Sequence, residues 1–324
     1  MVRLALDPSL IPSPRPSELT EQSSPDDALV TLIEGDNLDA LELLRQRDER
    51  FHLIYLDPPF FTQRQHRRTK RKRRGRGDIA RSESDAFDDR WPSLDVYLAT
   101  LQARLERLRE LLTDDGSVVI HVDPNTSHYI KVMCDELFGE RCFASEIVWR
   151  YRRWPAKTKN FQRVHDVLLR YVKNPKTSPR FQQLYEPLAP STLATWGKSK
   201  QRADIDPKGR RRRSTKTDED SPGTPMGDVW EIGVIAPVAR ERTGYPTQKP
   251  EALLRRIVEG LSHEGDAVLD PYVGSGTTLA VAAALGRRAV GLDESAEAIA
   301  VASSRLEAQG VALRRARVDP KPGA

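Results

Sequence analysis

The sequence predicts an α/β protein with a doubly wound, mostly parallel sheet and one irregular insertion. Short apolar runs of strand length alternate with longer segments whose apolar residues recur every three or four positions. Strands that alternate with helices in this way form a parallel sheet against which the helices pack. Between residues 174 and 240 the pattern is lost, and Pro, Lys, Arg, Thr and Gly dominate.

The first half of the chain supplies most of the predicted strands. The run 51–56 is continuously apolar and rich in aromatic and branched residues, which is typical of a strand buried on both faces. Leucines between 94 and 112 recur at helical spacing, and an Asp-Asp-Gly turn follows them. Strands are predicted at 29–33, 51–56, 117–122, 147–150 and 166–172, and helices at 38–44, 94–112 and 127–137.

Regular structure resumes after the insertion, with helices predicted at 250–261, 278–285 and 296–308 and strands at 267–269 and 288–292. These patterns divide the chain into five parts. They are a Pro- and Ser-rich extension (1–28), a first half of the sheet (29–173), the insertion (174–240), a second half of the sheet (241–310) and a tail (311–324).

Composition narrows the class of protein. The 324 residues are 38% hydrophobic, enough for a core, and no stretch reaches the roughly 18 consecutive apolar residues of a membrane span. The N-terminal residues have no apolar signal core, and the two cysteines form no disulfide framework or metal knuckle. We therefore expect a cytoplasmic protein with no metal site and no membrane association.

Positive charge is concentrated rather than spread. The chain has 52 Lys and Arg residues against 47 Asp and Glu residues. Nine of the basic residues fall between 64 and 76, in a segment that we predict to be a basic loop (61–85). Such a run repels itself unless a polyanion binds, so the segment predicts nucleic-acid contact. Arg152 and Arg153 form a second basic cluster, which fits a solvated strand end equally well. The predicted DNA contacts are Arg64, Arg67, Arg68, Arg71, Arg73, Arg74, Arg152 and Arg153.

Residues 270–278, with the sequence DPYVGSGTT, follow a predicted strand and open a predicted helix; we call them the donor loop. Ligands of open α/β sheets bind at such strand ends and helix N-termini. Asp270, Gly274, Gly276 and Thr277 are therefore predicted to contact a cofactor, with Asp293 after the next strand accepting ribose hydroxyls. The alternative is a tight turn that serves packing alone. The combined pattern favours a nucleoside-containing cofactor, and the missing phosphate-loop motif disfavours a triphosphate.

Residues 57–60, with the sequence DPPF, follow the buried strand at 51–56; we call them the amine clamp. The Asp57 carboxylate and the Pro58 carbonyl can each accept a hydrogen bond from a planar amino group, and both bonds oppose the positive charge that develops there during methyl transfer. Pro58 and Pro59 stiffen the loop, and Phe60 offers a face on which a base can stack. We predict that these four residues are catalytic.

The clamp and the donor loop resemble those of the S-adenosylmethionine-dependent DNA amino-methyltransferases, which modify adenine N6 or cytosine N4. The resemblance covers roughly residues 29–306. Residues 245–250 are similar to a further family signature, which implies that Thr247 and Lys249 lie against the methionine part of the donor. Gly35-Asp36 resembles the turn that faces the donor's adenine, which makes Asp36 a further cofactor-binding residue.

The order of the motifs, clamp first and donor loop last, is similar to the circularly permuted β-class of this family. The resemblance thus implies a Rossmann-like methyltransferase fold, with the insertion 174–240 as a target-recognition region and double-stranded DNA as the partner. A homodimer and a cognate restriction endonuclease are further partners that it brings into consideration. The leading Asp57 favours adenine over cytosine N4. Neither cysteine follows a proline, which disfavours cytosine C5 chemistry.

Two other functions stay open. The clamp could hold any planar conjugated amine, including one in RNA or a glutamine amide of a protein. A non-catalytic DNA-binding subunit would retain the fold but would be expected to show a degraded clamp or donor loop.

Overall fold

The computed structural model describes residues 4–23, 28–63, 65–74, 78–153, 155, 157, 159–198, 203–214 and 220–321. The chain forms a larger unit, Met1–Phe181 with Asp228–Ala324, and a smaller unit, Gln182–Gly227.

The strands, in chain order, are β1 (Ser17–Ser23), β2 (Val30–Glu34), β3 (Phe51–Leu56), β4 (Gln65–Arg74), β5 (Asp78–Asp88), β6 (Leu112–Val122), β7 (Phe143–Arg150), β8 (His165–Val172), β9 (Tyr185–Glu186), β10 (Ala203–Ile205), β11 (Arg211–Arg213), β12 (Thr224–Pro225), β13 (Val229–Glu231), β14 (Ala267–Asp270), β15 (Arg288–Asp293) and β16 (Leu313–Pro320). The helices are α1 (Asn37–Gln46), α2 (Leu94–Leu111), α3 (Ser127–Phe138), α4 (Pro190–Trp196), α5 (Glu251–Leu261), α6 (Thr277–Ala284) and α7 (Ala296–Ala308).

Ten strands of the larger unit form one sheet in the order β1-β16-β2-β15-β14-β3-β6-β8-β7-β13. The six strands from β16 to β6 are parallel to one another. β1 and β8 run antiparallel to their neighbours, and β7 therefore points the same way as β6. The loops after β3, β6, β7, β14 and β15 consequently leave the sheet at the same edge.

Helices flank this sheet in two groups, in which α1 packs on α2 and α2 on α3, while α6 packs on both α5 and α7. Local sequence fixes where several begin: the Ser93 hydroxyl accepts a hydrogen bond from the Val96 amide at the start of α2, and Ser295 does the same for Ala298 at the start of α7. The predicted leucines of α2 after Leu94, which is partly buried, are buried, and so are those of β3. The predicted doubly wound α/β fold is confirmed.

The sheet is wider than the sequence predicts. Residues 311–324 were expected to be a tail, but Leu313–Pro320 forms β16 beside β2. Residues 1–28 were expected to be an extension, but Ser17–Ser23 forms β1, which covers the outer side of β16. β16 carries arginine at Arg314, Arg315 and Arg317, and this charge hides its strand pattern.

The predicted basic loop is a β-hairpin, because β4 and β5 pair antiparallel from Gln65↔Asp88 to Arg74↔Asp78. The smaller unit contains two short antiparallel pairs, β9 with β12 and β10 with β11, together with α4. It occupies only the central part of the predicted insertion 174–240, since the flanking residues belong to the larger unit.

Among the described residues, no helix combines the length and the apolar character that crossing a membrane requires.

Candidate active site

The two predicted motifs follow neighbouring strands. β3 pairs with β14 in parallel, with Leu53 beside Val268 and Ile54 beside Leu269. Asp57 follows the end of β3, and Asp270 is the last residue of β14. Both acids line one cavity of about 320 Å³ at the carboxyl edge of the sheet. The clamp and the donor loop, far apart in sequence, therefore border the same space.

The amine clamp presents one bonded and one unbonded carboxylate oxygen. Oδ2 of Asp57 accepts a hydrogen bond from Nζ of Lys249, while Oδ1 is buried and has no hydrogen-bond partner within the described part of the chain. Pro58, Pro59 and Phe60 also line the cavity. Nζ of Lys249 lies 5.4 Å from the centre of the Phe60 ring, so the ammonium occupies the space between the acid and the aromatic face.

The donor loop turns sharply through two glycines in left-handed backbone conformations, Gly274 at φ +48° and Gly276 at φ +74°. A β-carbon at Gly276 would lie 2.9 Å from Cβ and 3.0 Å from Cα of Ala302 in α7, so this position also lacks room for a side chain. α6 begins at the next residue, Thr277, which lines the cavity.

Asp293, at the end of β15, holds the donor loop from the side. Its Oδ2 accepts a hydrogen bond from the Gly274 amide at 2.9 Å, and its Oδ1 accepts one from Ser295. Burial raises the pKa of Asp293 to about 6 despite these bonds. Burial also raises the pKa of Asp270 to about 7, although hydrogen bonds from Thr278 and Tyr272 oppose the shift. The cavity thus has two acids that titrate near neutrality.

The segment 243–250 closes another wall of the cavity. The Gln248 side chain bonds the amide of Thr243 at 2.8 Å and its hydroxyl at 2.9 Å, which holds the segment in a compact loop. Tyr245 lies beside Gly274, and Thr247 has a positive φ of 60°. Thr247 and Lys249 line the cavity, and the ammonium of Lys249 reaches the clamp carboxylate.

Asp36, in the predicted adenine-facing turn, is not among the described residues that line the cavity. Oδ1 of Asp36 caps α1 by accepting hydrogen bonds from the amides of Leu38 and Asp39. Its neighbour Asn37 lines the cavity and donates to the Pro271 carbonyl at 3.0 Å. Asn37 in turn accepts a hydrogen bond from Arg104.

Sequence reasoning missed several residues of the cavity wall. They include Asn37, Trp91, Arg104 and Glu294. Two of these have a local signal in the sequence, since Asn37 directly follows Asp36 and Glu294 directly follows Asp293.

The basic hairpin starts beside the clamp. The Thr62 hydroxyl donates to Asp89 at 2.8 Å, and the side chain of Gln63 exchanges two hydrogen bonds with the backbone of Trp91. These bonds tie the residues before β4 to those after β5. Of the predicted DNA contacts in this run, Arg64 lies outside the described residues. Arg67, Arg68, Arg71, Arg73 and Arg74 all belong to β4.

The loop 151–164 leaves β7 at the same edge of the sheet. Arg152 and Arg153 are exposed in it, together with Lys157 and Lys159. The loop is anchored to the edge, because Arg163 forms an ion pair with the buried Asp123 after β6 at 2.8 Å. The structure therefore brings Arg152 and Arg153 to the edge that carries the clamp.

The cavity fits a nucleoside-containing group. The carboxylate of Asp293, the backbone of the donor loop at Gly274 and the aromatic ring of Tyr272 all line it. Parallel strands that end in such a loop give a doubly wound α/β fold with a ligand site at the carboxyl ends of its strands.

Comparison with known proteins identifies relatives of the chain. A family model described as DNA methylase, of the N6/N4 class, matches residues 51–304. M.EcaI, a type II methyltransferase of Enterobacter cloacae, is 30% identical over 82% of this chain and 66% of its own length, so the chain spans about two thirds of that relative. DNA adenine methyltransferase YhdJ of Escherichia coli K12 is 30% identical over 86% of this chain and 82% of YhdJ.

The fold also has solved counterparts. The structure of an M1.HpyAVI–SAM complex matches with a TM-score of 0.54 at 18% identity, covering 86% of this chain and 98% of that chain. The chain belongs to the DNA methylase family of the N6/N4 class, which confirms the resemblance read from the clamp and the donor loop.

Proposed function

We propose that the chain transfers a methyl group from S-adenosylmethionine to the exocyclic amino group of a base flipped out of double-stranded DNA, with adenine N6 favoured over cytosine N4. The observation that carries the proposal is the pairing of β3 with β14, which gives the clamp and the donor loop one cavity. The related M.EcaI is a type II methyltransferase, and YhdJ is a DNA adenine methyltransferase.

The residues of the cavity divide into two roles. Asp293 would accept the ribose hydroxyls of S-adenosylmethionine, and the loop through Gly274 and Gly276 would pass along its edge. Thr247 also lines the cavity, and its carbonyl accepts a hydrogen bond at 3.4 Å from the Lys249 ammonium that reaches the clamp. When bound, this cofactor supplies an electrophilic methyl group: the amino nitrogen's lone pair forms the N–C bond while the S–C bond breaks and its electrons stay on sulfur.

The clamp prepares the amino group for that step. Hydrogen bonds from the amino group to Asp57 and to the Pro58 carbonyl favour a pyramidal nitrogen with an available lone pair. The negative carboxylate then stabilises the charge that builds up on nitrogen, which is the larger effect in such reactions. The methylated group finally loses one N–H proton, for which Asp57 is the acceptor before the proton passes to water. Since Oδ1 of Asp57 is buried and Lys249 bonds Oδ2, the incoming amino group must share Oδ2 with that ammonium or displace it.

A flipped base is required because an amino group inside the duplex is paired and stacked, and extrusion costs a few kcal/mol. Phe60 would stack on the extruded base, an interaction worth about 1–3 kcal/mol. The leading Asp57 is the feature that favours adenine over cytosine.

The test is mass spectrometry of nucleosides from duplex DNA that was incubated with the purified chain and S-adenosylmethionine. N6-methyladenine is expected. Detection of N4-methylcytosine instead would support the proposed methyl transfer but contradict the preference for adenine. If methyl groups appeared only in structured RNA or in protein supplied in parallel reactions, DNA would be the wrong substrate.

Donor binding should depend on pH. Asp293 and Asp270 have pKa values raised to about 6 and about 7, so both are largely protonated at pH 5. A carboxylate accepts hydroxyl hydrogen bonds more strongly than the neutral acid. Affinity for S-adenosylmethionine should therefore rise between pH 5 and 7.5, as calorimetry would measure. Asp293→Asn should flatten the curve. Affinity that is constant or falls over this range in the wild type would remove the proposed role of Asp293.

DNA binding should depend on salt through the hairpin. Changing Arg67, Arg68, Arg71, Arg73 and Arg74 to Gln is expected to reduce the slope of log affinity against log salt by about 0.9 for each phosphate that is no longer neutralised. The double change of Arg315 and Arg317, which lie on the far strand β16, is the matched control. Equal slopes for the hairpin variant and the wild type would show that these arginines do not neutralise DNA phosphates.

A homodimer and a cognate restriction endonuclease stay predictions of the family resemblance, as does target recognition by residues 174–240. Native mass spectrometry of the purified chain tests the dimer directly.

A further inference from the structure

A fully buried histidine lies directly behind the amine clamp. His121 is in β6, and the pairing of Leu56 with Ile120 brings it beside Asp57, the residue that follows β3. Its Nδ1 lies 2.8 Å from the Tyr55 hydroxyl and 3.8 Å from Oδ1 of Asp57. This Oδ1 is the clamp oxygen that has no hydrogen-bond partner in the described part of the chain.

The other side of the imidazole faces a second acid. Nε2 of His121 lies 3.5 Å from Oδ2 of Asp166, the second residue of β8. Oδ1 of the same carboxylate accepts a hydrogen bond from the Tyr151 hydroxyl at 3.1 Å. Burial alone would raise the pKa of Asp166, but His121, Lys249 and Tyr151 outweigh it and lower the pKa below its usual value.

Aromatic rings fix the imidazole in this place. The Trp149 ring meets it edge-on at 5.5 Å between centres, and the indole N–H is held by the Ile232 carbonyl at 2.9 Å. The Phe60 ring of the clamp lies 5.9 Å from it. His121 therefore contacts the acid, the aromatic face and the supporting strand of the clamp together.

We propose that His121 and Asp166 are positioning residues, which hold the Asp57 carboxylate in the orientation that the target amino group requires. A small rotation would bring Oδ1 of Asp57 to hydrogen-bond distance of Nδ1, which would then donate to it in place of the bond with the Tyr55 hydroxyl, while the carboxylate of Asp166 lies beside the opposite ring nitrogen. The alternative is a histidine that only fills the core. Two carboxylates on opposite ring nitrogens, one of them in the clamp, argue against that alternative. The inference rests on the proposed function.

Steady-state kinetics of His121→Asn tests the proposal, because asparagine keeps a polar group near the Nδ1 position. Misplacement of a reacting group by about 1 Å can cost about 10²-fold in rate, and we expect kcat to fall about 10- to 100-fold. The KM values for S-adenosylmethionine and DNA should stay within about twofold, since neither ligand contacts the buried ring. His121→Ala should lose more, and Asp166→Asn should change kcat in the same direction. His128→Asn, at an exposed position on α3, is the matched control.

The decisive comparison uses Asp57→Asn as a second background. If His121 acts through Asp57, then His121→Asn should leave the residual rate of Asp57→Asn nearly unchanged. If His121 only fills the core, His121→Asn should lower the rate by the same factor in the wild type and in Asp57→Asn, or should raise the KM values as it lowers the rate. Either result, or an unchanged kcat in the single variant, would overturn the proposal.

A measurement without substrate separates this proposal from the proposed function. Nuclear magnetic resonance of the imidazole nitrogens should show the His121 signals moving in both Asp57→Asn and Asp166→Asn, but not in Asp48→Asn, whose side chain is 86% exposed. If the wild type methylates no DNA, the proposed function fails while the coupling is still judged by these shifts. If the His121 signals do not move in Asp57→Asn, or do not move in Asp166→Asn, the positioning role is refuted whether or not the chain methylates DNA.

Discussion

Replacing Asp57 with alanine is expected to abolish methyl transfer while S-adenosylmethionine still binds. The variant loses the carboxylate that accepts the amino hydrogen and opposes the charge on nitrogen. Removing one such preorganised partner of a transition state typically costs about 10²–10³-fold in kcat. Radiolabelled methyl incorporation into duplex DNA measures the rate, and calorimetry measures donor affinity.

Two further variants make this result specific. Asp57→Asn keeps the shape but not the charge, and it should stay at least about 10²-fold below the wild type if electrostatic stabilisation is the main effect. Asp48→Asn removes an exposed carboxylate at a positive φ of 58°, a conformation that asparagine tolerates, and should leave the rate unchanged. Turnover of Asp57→Ala at the wild-type rate would eliminate the clamp.

Replacing Gly276 with alanine is expected to remove donor binding and to lower the free energy of unfolding. The left-handed backbone costs a residue with a β-carbon about 1–2 kcal/mol. The new methyl group would also press against the backbone of Ala302 in α7, and overpacking of this kind typically costs about 1–3 kcal/mol more. Any shift of α7 or of the donor loop would move Gly274 away from Asp293. Chemical denaturation and donor titration measure the two effects.

Gly310 supplies a matched control, because it has the same φ of +74° but a β-carbon there would meet nothing within 4 Å. Gly310→Ala should therefore show the backbone cost without the packing cost, and should bind donor normally. Equal destabilisation by the two changes, with donor affinity retained in both, would contradict the packing role of Gly276 in the donor loop.

The catalytic edge was predictable because strong local signals coincide with parallel strands. Phe51–Leu56 and Ala267–Asp270 are short and apolar, and each leads into an Asp at its carboxyl end; in a parallel sheet such ends share one edge. Their adjacency was not predictable from sequence alone. The insertion of β14 and β15 between β2 and β3 is a property of the topology, which local patterns do not encode.

Two features were not predictable from the sequence, each for its own reason: the outermost strands β1 and β16, and the residues that support the clamp. β16 is rich in arginine, and its partner β1 is mostly polar, so neither shows the alternation by which strands are recognised. His121 and Asp166 are polar residues near the ends of strands whose buried parts are mostly apolar. Their relation to Asp57 arises only from the register of β6 with β3 and β8. The signal that could have found them is a polar residue in an otherwise apolar buried run.

The proposed reaction requires that the ends of two adjacent strands, β3 and β14, build one site in which base and methyl donor meet. A crystal structure of the chain with S-adenosylmethionine is the sharpest test of this requirement. We expect the adenosine part along the loop from Asp270 to Thr278 with its ribose at Asp293, and the methyl carbon directed toward Asp57 and Phe60. A donor bound elsewhere, or one whose methyl group faces away from the carboxylate of Asp57, would contradict it.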